Sequence, residues 1–155
     1  MKQETATPTD RLRVLLQMYA LALLLAMFIS ALHAGILFSL GDFLTWLRHW
    51  ATPTLGGRPR DILVVLAAVS FLFVAHIAEA SMWAAFFWKS GHLPSFGDSW
   101  YFAGTSHTAL GYGDVVLQEP WKSLGPICAI NGLLTFGCST AALFLVLQMV
   151  WYQKL

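Results

Sequence analysis

Three stretches of this 155-residue chain are apolar for longer than a soluble fold has use for. They run from about Val14 to Phe38, from Ile62 to Trp88 and from about Pro126 to Trp151. A hydrocarbon core of about 30 Å takes about 20 helical residues to cross, and each stretch supplies them. The first is interrupted only by Gln17, Ser30, His33 and Gly35. The second carries His76 and Glu79, and the third Asn131 with several small polar residues. Helices of a soluble bundle keep a polar stripe, and these have none. The chain is 57% hydrophobic and 11% charged, against about 25% charged for an ordinary soluble domain. The fold class expected is therefore an all-α membrane protein with three transmembrane helices. The first stretch exceeds the apolar core of a signal peptide, and Leu32-His33-Ala34 is a poor cleavage site, so it reads as a retained span. A net charge of +1 gives no pull toward nucleic acid or a polybasic lipid anchor, and no soluble partner is evident. Cys128 and Cys138, ten residues apart on one helix, lie roughly 15 Å apart and cannot bridge within the chain.

Between the second and third stretches stands Thr105-Ser-His-Thr-Ala-Leu-Gly-Tyr-Gly-Asp114. A short polar loop at membrane depth is tolerated only where it is buried in protein or lines a water-filled path. Carbonyls ringed around such a path can replace the hydration shell of an alkali cation. Gly111 and Gly113 stand where a strand of inward-facing carbonyls needs positive φ. Over roughly Ser95 to Phe144 the chain resembles the pore helix and selectivity filter of the potassium channel family. That resemblance implies a pore domain over residues 61–155, with an outer helix 62–88, a re-entrant pore helix 99–108, a filter 109–113 and an inner helix 120–151. Residues 1–60 then hold the N-terminal transmembrane helix and an interfacial helix or loop. Four copies make a filter ring, so the resemblance implies a homotetramer in the lipid bilayer. It also implies passive K+ conduction, no enzyme activity and no cofactor beyond the permeant ions. An extra helix ahead of a two-helix pore is similar to small bacterial ion-channel proteins, which implies the bacterial inner membrane. A loop dipping in from outside would put the N-terminus outside.

By the same resemblance, the carbonyls of Ala109, Leu110, Gly111, Tyr112 and Gly113 bind the ions. Tyr112 braces the strand against the pore helix, and Asp114 hydrogen-bonds back to a pore-helix residue, with Thr108 at the strand's base. The common form is Thr-Thr-Val-Gly-Tyr-Gly-Asp, and Ala109 lacks the hydroxyl that completes the innermost site. A weakly selective cation pore, or a non-conducting pore-loop protein with a role in assembly or sensing, are the alternative readings. The pore-helix glutamate and tryptophan that clamp many such filters are replaced by Thr105 and Tyr101. Gly132 and Gly137 stand where inner helices of the family bend in gating, although a membrane glycine is also commonly a packing residue.

Ionisable groups inside a membrane need partners. His76 and Glu79, three apart, share a helical face. Glu79 either reaches the pore helix through His107 or Thr105, replacing the missing clamp, or pairs with His76 alone. No transition-metal site is expected from His33, His76 and Glu79. No arginine repeat marks a voltage sensor, and with four residues after Trp151 no ligand-binding domain is expected.

Elsewhere the polar N-terminal dozen, Met1 to Leu12, is expected to be mobile. Asp42 to Trp50 has the apolar spacing of a helix lying in the membrane interface, or of an extension of the first span. Pro53, Gly56, Gly57 and Pro59 break regular structure. Asp61 is the expected N-cap of the second span, Asp98 or Ser95 that of the short helix, and Pro120 or Pro126 opens the third.

Overall fold

The computed structural model describes residues 8–152, and what the sequence suggests for Met1 to Thr7 lies outside them. Four helices make up the described fold: α1 (Pro8–Ala51), α2 (Gly57–Lys89), α3 (Phe96–His107) and α4 (Leu124–Tyr152). Three are long and apolar enough to cross a membrane, over Leu12–Ala51, Gly57–Lys89 and Leu124–Tyr152. The protein is thus an integral, multi-pass membrane protein. Its surface agrees: Leu24, Phe38, Phe73, Val74, Leu134 and Leu145 are each more than half exposed. Such side chains need lipid or another protein surface around them.

Two apolar clusters fix how the long helices run. In one, Ala22 and Ile29 of α1 meet Trp83, Ala84 and Phe87 of α2, Phe102 and Ala103 of α3, and Leu124 and Cys128 of α4. In the other, Leu40 and Leu44 of α1 meet Val64, Ala68 and Leu72 of α2 and Val146 of α4. Early α1 and early α4 therefore share a level with late α2. So α1 and α4 run parallel, with α2 antiparallel to both. Helix α3 packs beside α2 and α4 in the first cluster only, at one end of the bundle.

Several boundaries differ from those read in the sequence. Asp42 to Trp50 is no separate interfacial helix but the last part of α1, which is 44 residues long, or about 66 Å at the α-helical rise. Gly41 alone does not break a helix, and the first real break comes at Pro53 with Gly56 and Gly57. Residues 8 to 12 are helical rather than loose. Asp61 is not an N-cap. Helix α2 starts four residues before it, after Gly56 and without a side-chain cap, since Pro59 fits a first turn where its missing N–H costs nothing. Asp61 is instead buried beside Arg60. Of the two caps offered for α3, Ser95 is the one used. Its hydroxyl oxygen accepts from the Asp98 N–H at 3.0 Å, which starts the helix at Phe96 rather than at residue 99. The last span opens at Leu124, with Pro126 in its first turn and Pro120 outside it.

Candidate functional site

Helix α3 stops at His107, and the chain then enters the Gly-Tyr-Gly-Asp segment. Thr108 caps the helix, its N–H donating to the Gly104 carbonyl. The next three N–H groups are drawn back onto the same helix end. Ala109 N–H donates to Ser106 O at 2.8 Å, Leu110 N–H to Thr105 O at 2.8 Å and Gly111 N–H to Thr105 O at 3.0 Å. Those bonds satisfy carbonyls a helix C-terminus leaves orphaned. They also turn the backbone sharply, and φ is positive at every second residue: 57° at Ala109, 54° at Gly111 and 81° at Gly113. Alternating the sign of φ rotates successive peptide planes the same way, gathering N–H groups on one side and carbonyls on the other. Among the described residues no hydrogen bond to the carbonyls of residues 109–113 is made. Ala109 is the surprise. The glycines were legible as positive-φ positions; an alanine there is strained by about 1 kcal/mol.

Sides of the segment alternate too. Ala109, Gly111 and Gly113 border a recess of about 340 Å³ with Phe102, Ser106 and Pro126. Leu110 lines a second, of about 430 Å³, with Trp100, His107 and Phe136. Tyr112 is 66% exposed rather than packed on α3. Thr105 Oγ1 donates to carbonyls of its own helix, Tyr101 and Phe102, and so does not reach Glu79 through its side chain. Thr108 Oγ1 likewise donates to Gly104 O.

Asp114 finds its partner on α3. The Tyr101 hydroxyl donates to Asp114 Oδ2 at 2.7 Å, outside the three spanning helices. That bond holds the Asp114 carboxyl below the usual carboxylate range and pushes the Tyr101 hydroxyl above its ordinary value. The carboxylate's share of the stability is present above its unfolded value and lost as pH falls through the lowered one. The phenol's share is present below the ordinary tyrosine value and lost as pH rises through the raised one. Tyr101→Phe should therefore loosen residues 111–116, read as faster amide hydrogen exchange at neutral pH. The parent should approach the variant's exchange rates as acid protonates Asp114. Unchanged exchange at pH 7 would show that the bond does not hold the segment.

Behind α3, between the two apolar clusters, lies a buried polar layer. Glu79 is fully enclosed. One of its oxygens is 2.6 Å from His33 Nδ1 on α1, and the other 3.1 Å from His76 Nδ1 on its own helix. His107, the last residue of α3, brings Nε2 to 3.5 Å from the second oxygen, and neither of its ring nitrogens has a hydrogen-bond partner. Ser139 Oγ on α4 closes the far side, 2.9 Å from His76 Nε2 and 3.2 Å from His33 Nε2. Of the three partners considered for Glu79, His76 and His107 are beside it, and Thr105 bonds to its own helix instead. The nearest, His33, was weighed beside Glu79 only as a metal ligand and not as its hydrogen-bond partner, because nothing in a single sequence says which face of α1 meets α2.

One turn away, Asn131 joins three helices. Its Oδ1 accepts from Trp83 Nε1 at 2.9 Å, and its amide donates to Ala26 O at 3.1 Å and Ser30 Oγ at 2.9 Å. Next to it, Gly132 passes so close to α3 that an added Cβ would stand 1.8 Å from the His107 carbonyl oxygen. Gly137 has open space at the same position. Helix α4 runs unbroken through both.

Comparison with known proteins follows the same outline. A family model described as an ion channel matches residues 62–149, which takes in most of α2, all of α3, the Gly-Tyr-Gly-Asp segment and nearly all of α4. No curated protein and no solved structure matches the chain. More than half of the sequence lies within the family match, and the chain belongs to the ion channel family, of the kind built on a two-helix potassium-channel pore domain.

Proposed function

We propose that four copies of the chain assemble into a potassium-selective channel, with α3 as a re-entrant pore helix and residues 109–113 as the filter. The observation that carries this reading is the alternation of φ at Ala109, Gly111 and Gly113, with the N–H groups of 109–111 tied to the end of α3. That leaves a row of carbonyls free to replace water around a dehydrated cation. One strand cannot surround an ion, and the segment is exposed on the subunit, so a closed ring of copies completes the site. The negative end of α3 adds a partial charge that favours a cation beneath the filter.

Supporting roles follow from position. Tyr101 and Asp114 tie the outer end of the filter to the pore helix, and at its inner end His107 approaches Glu79 to 3.5 Å. Tyr112 braces against a neighbouring copy. Bending of α4 in gating falls more easily at Gly137, which has room around it, than at Gly132, which is locked against α3. Ala109 offers no hydroxyl to the innermost ion, so that site relies on carbonyls and water.

Reversal potentials of the purified protein in proteoliposomes, under opposed potassium and sodium gradients, test the proposal. A value near the potassium equilibrium potential is expected. A value near zero with large current would instead make this a weakly selective cation pore, the outcome the missing Ala109 hydroxyl favours. Absence of current in every condition would leave a pore-loop protein that does not conduct.

A further inference from the structure

Four side chains in the buried layer close on themselves. Glu79 Oε1 meets His33 Nδ1 at 2.6 Å, His33 Nε2 meets Ser139 Oγ at 3.2 Å, Ser139 Oγ meets His76 Nε2 at 2.9 Å, and His76 Nδ1 returns to Glu79 Oε2 at 3.1 Å. Each of these four contacts is a hydrogen bond only if one hydrogen lies in it. Ser139 brings one hydroxyl hydrogen. An ionised Glu79 and two neutral imidazoles bring two more. The total is three, and one contact would be left with lone pairs facing each other.

We propose that these residues form a closed, electrically neutral ring of four hydrogen bonds holding one proton more than a carboxylate and two neutral imidazoles. The ring gains and loses that proton as a unit, and so couples the packing of α1, α2 and α4 to pH. The count does not depend on where the proton sits. A carboxylate with one imidazolium and a carboxylic acid with two imidazoles contain the same hydrogens and the same zero charge, as expected of strongly coupled groups. Removing the proton both empties one bond and leaves a net negative charge out of reach of water, and each is unfavourable in a core. A further proton has no bond to occupy.

The groups facing the ring fit this reading. His33 is the ring's member from α1, and His76 and Glu79 are those of α2. From α3 comes only His107, 3.5 Å from Glu79 Oε2. From α4 come Ser139 and the ring of Phe136, stacked on His76 with centroids 3.9 Å apart. Among the described residues the ion pairs that Glu79 makes are with these three histidines, and none of its partners is a lysine or arginine that would substitute for the proton. Ligand-capable atoms of His33, His76 and Glu79 do lie within 4.8 Å of one another. A divalent cation among them would, however, leave a net charge of +1 in place of neutrality, with no second carboxylate to balance it.

Glu79→Gln isolates the extra proton. The glutamine carbonyl accepts one Nδ1–H and its amide donates to the other Nδ1. The ring then closes on two neutral imidazoles and contains no removable proton beyond theirs. Thermal unfolding of the full chain in detergent, followed by tryptophan fluorescence from pH 6 to 10, reads the difference without requiring conduction. Parent and Glu79→Gln should melt alike near pH 7, and the parent should fall below the variant by roughly 3–8 °C toward pH 10. Ser139→Ala, which cuts two of the four bonds, should melt lower at pH 7 and lose most of the extra alkaline sensitivity. Parallel melting curves for parent and Glu79→Gln would overturn the proposal. So would a zinc-induced rise in melting temperature that Glu79→Gln abolishes, because a metal would then be the occupant. Should the glutamine variant not fold, 15N imidazole spectra of the unmutated chain decide. His33 and His76 changing together in one alkaline step supports the ring, and independent steps or none refute it.

Discussion

Gly132→Ala is expected to prevent normal packing of α4 against α3, while Gly137→Ala leaves the melting temperature close to the parent's. The added Cβ at position 132 would lie 1.8 Å from the His107 carbonyl oxygen, 2.6 Å from its carbonyl carbon and 2.9 Å from its Cα. All three are backbone atoms, so no side chain can swing aside. The helices must separate by more than 1 Å, or the end of α3 must move. Overpacking of a tight core costs about 1–3 kcal/mol and more where backbone must shift, and the upper end applies here. His107 is also the last residue of α3, so a displaced α3 end displaces the N–H bonds of residues 109–111. Thermal melting in detergent should fall by roughly 8 °C or more for a loss of several kcal/mol in a chain of this size, and any current should be lost. A Gly132→Ala protein that melts within about 2 °C of the parent would mean that α4 does not approach α3 as described. Gly137 serves as the control, since an alanine there meets nothing within 4 Å and improves helix propensity.

That glycine also marks where sequence reasoning stops. The three spans were legible because lipid imposes length and apolarity on every crossing segment, whatever packs beside it. Ser95 was legible as a cap because capping is local, a side-chain oxygen reaching an N–H three residues on. His76 and Glu79 were legible as neighbours because helical spacing alone sets them on one face. Contacts that depend on how separate helices meet were not. His33 lies 46 residues from Glu79, and Ser139 lies 63 from His76. No propensity or period says that α1 presents His33, rather than a leucine, to α2. Gly132 could be read as hinge or packing residue, and only the position of α3 decides what stands beside it. Ala109 was read for its carbonyl and its missing hydroxyl, not for its backbone conformation. Its positive φ comes from the three N–H groups that fold back onto α3, and that is a property of the turn rather than of alanine.

Asn131→Ala is expected to lower stability by about 2–4 kcal/mol, the largest loss among the polar side chains outside the Glu79 layer. Its three hydrogen bonds join α4 to Trp83 of α2 and to Ala26 and Ser30 of α1. An average hydrogen bond between membrane helices contributes only about 0.6 kcal/mol, because the separated helices find other partners. Trp83 has no such alternative while the bundle stays closed, being fully buried, and an indole N–H left without a partner costs about 1–3 kcal/mol. The vacated amide volume adds a small cavity. Asn131→Asp sharpens the test. It keeps the shape and the acceptor for Trp83 but replaces the amide donors with an oxygen that faces the Ala26 carbonyl, and it introduces a charge into the span. Charged residues at mid-membrane cost about 2.5–3.5 kcal/mol on insertion scales, so Asn131→Asp should melt no higher than Asn131→Ala despite its better fit. If Asn131→Asp behaves like the parent, the donors to Ala26 and Ser30 contribute nothing. Asn131 would then serve α2 alone, and α1 would be held to α2 and α4 by its apolar contacts and by His33.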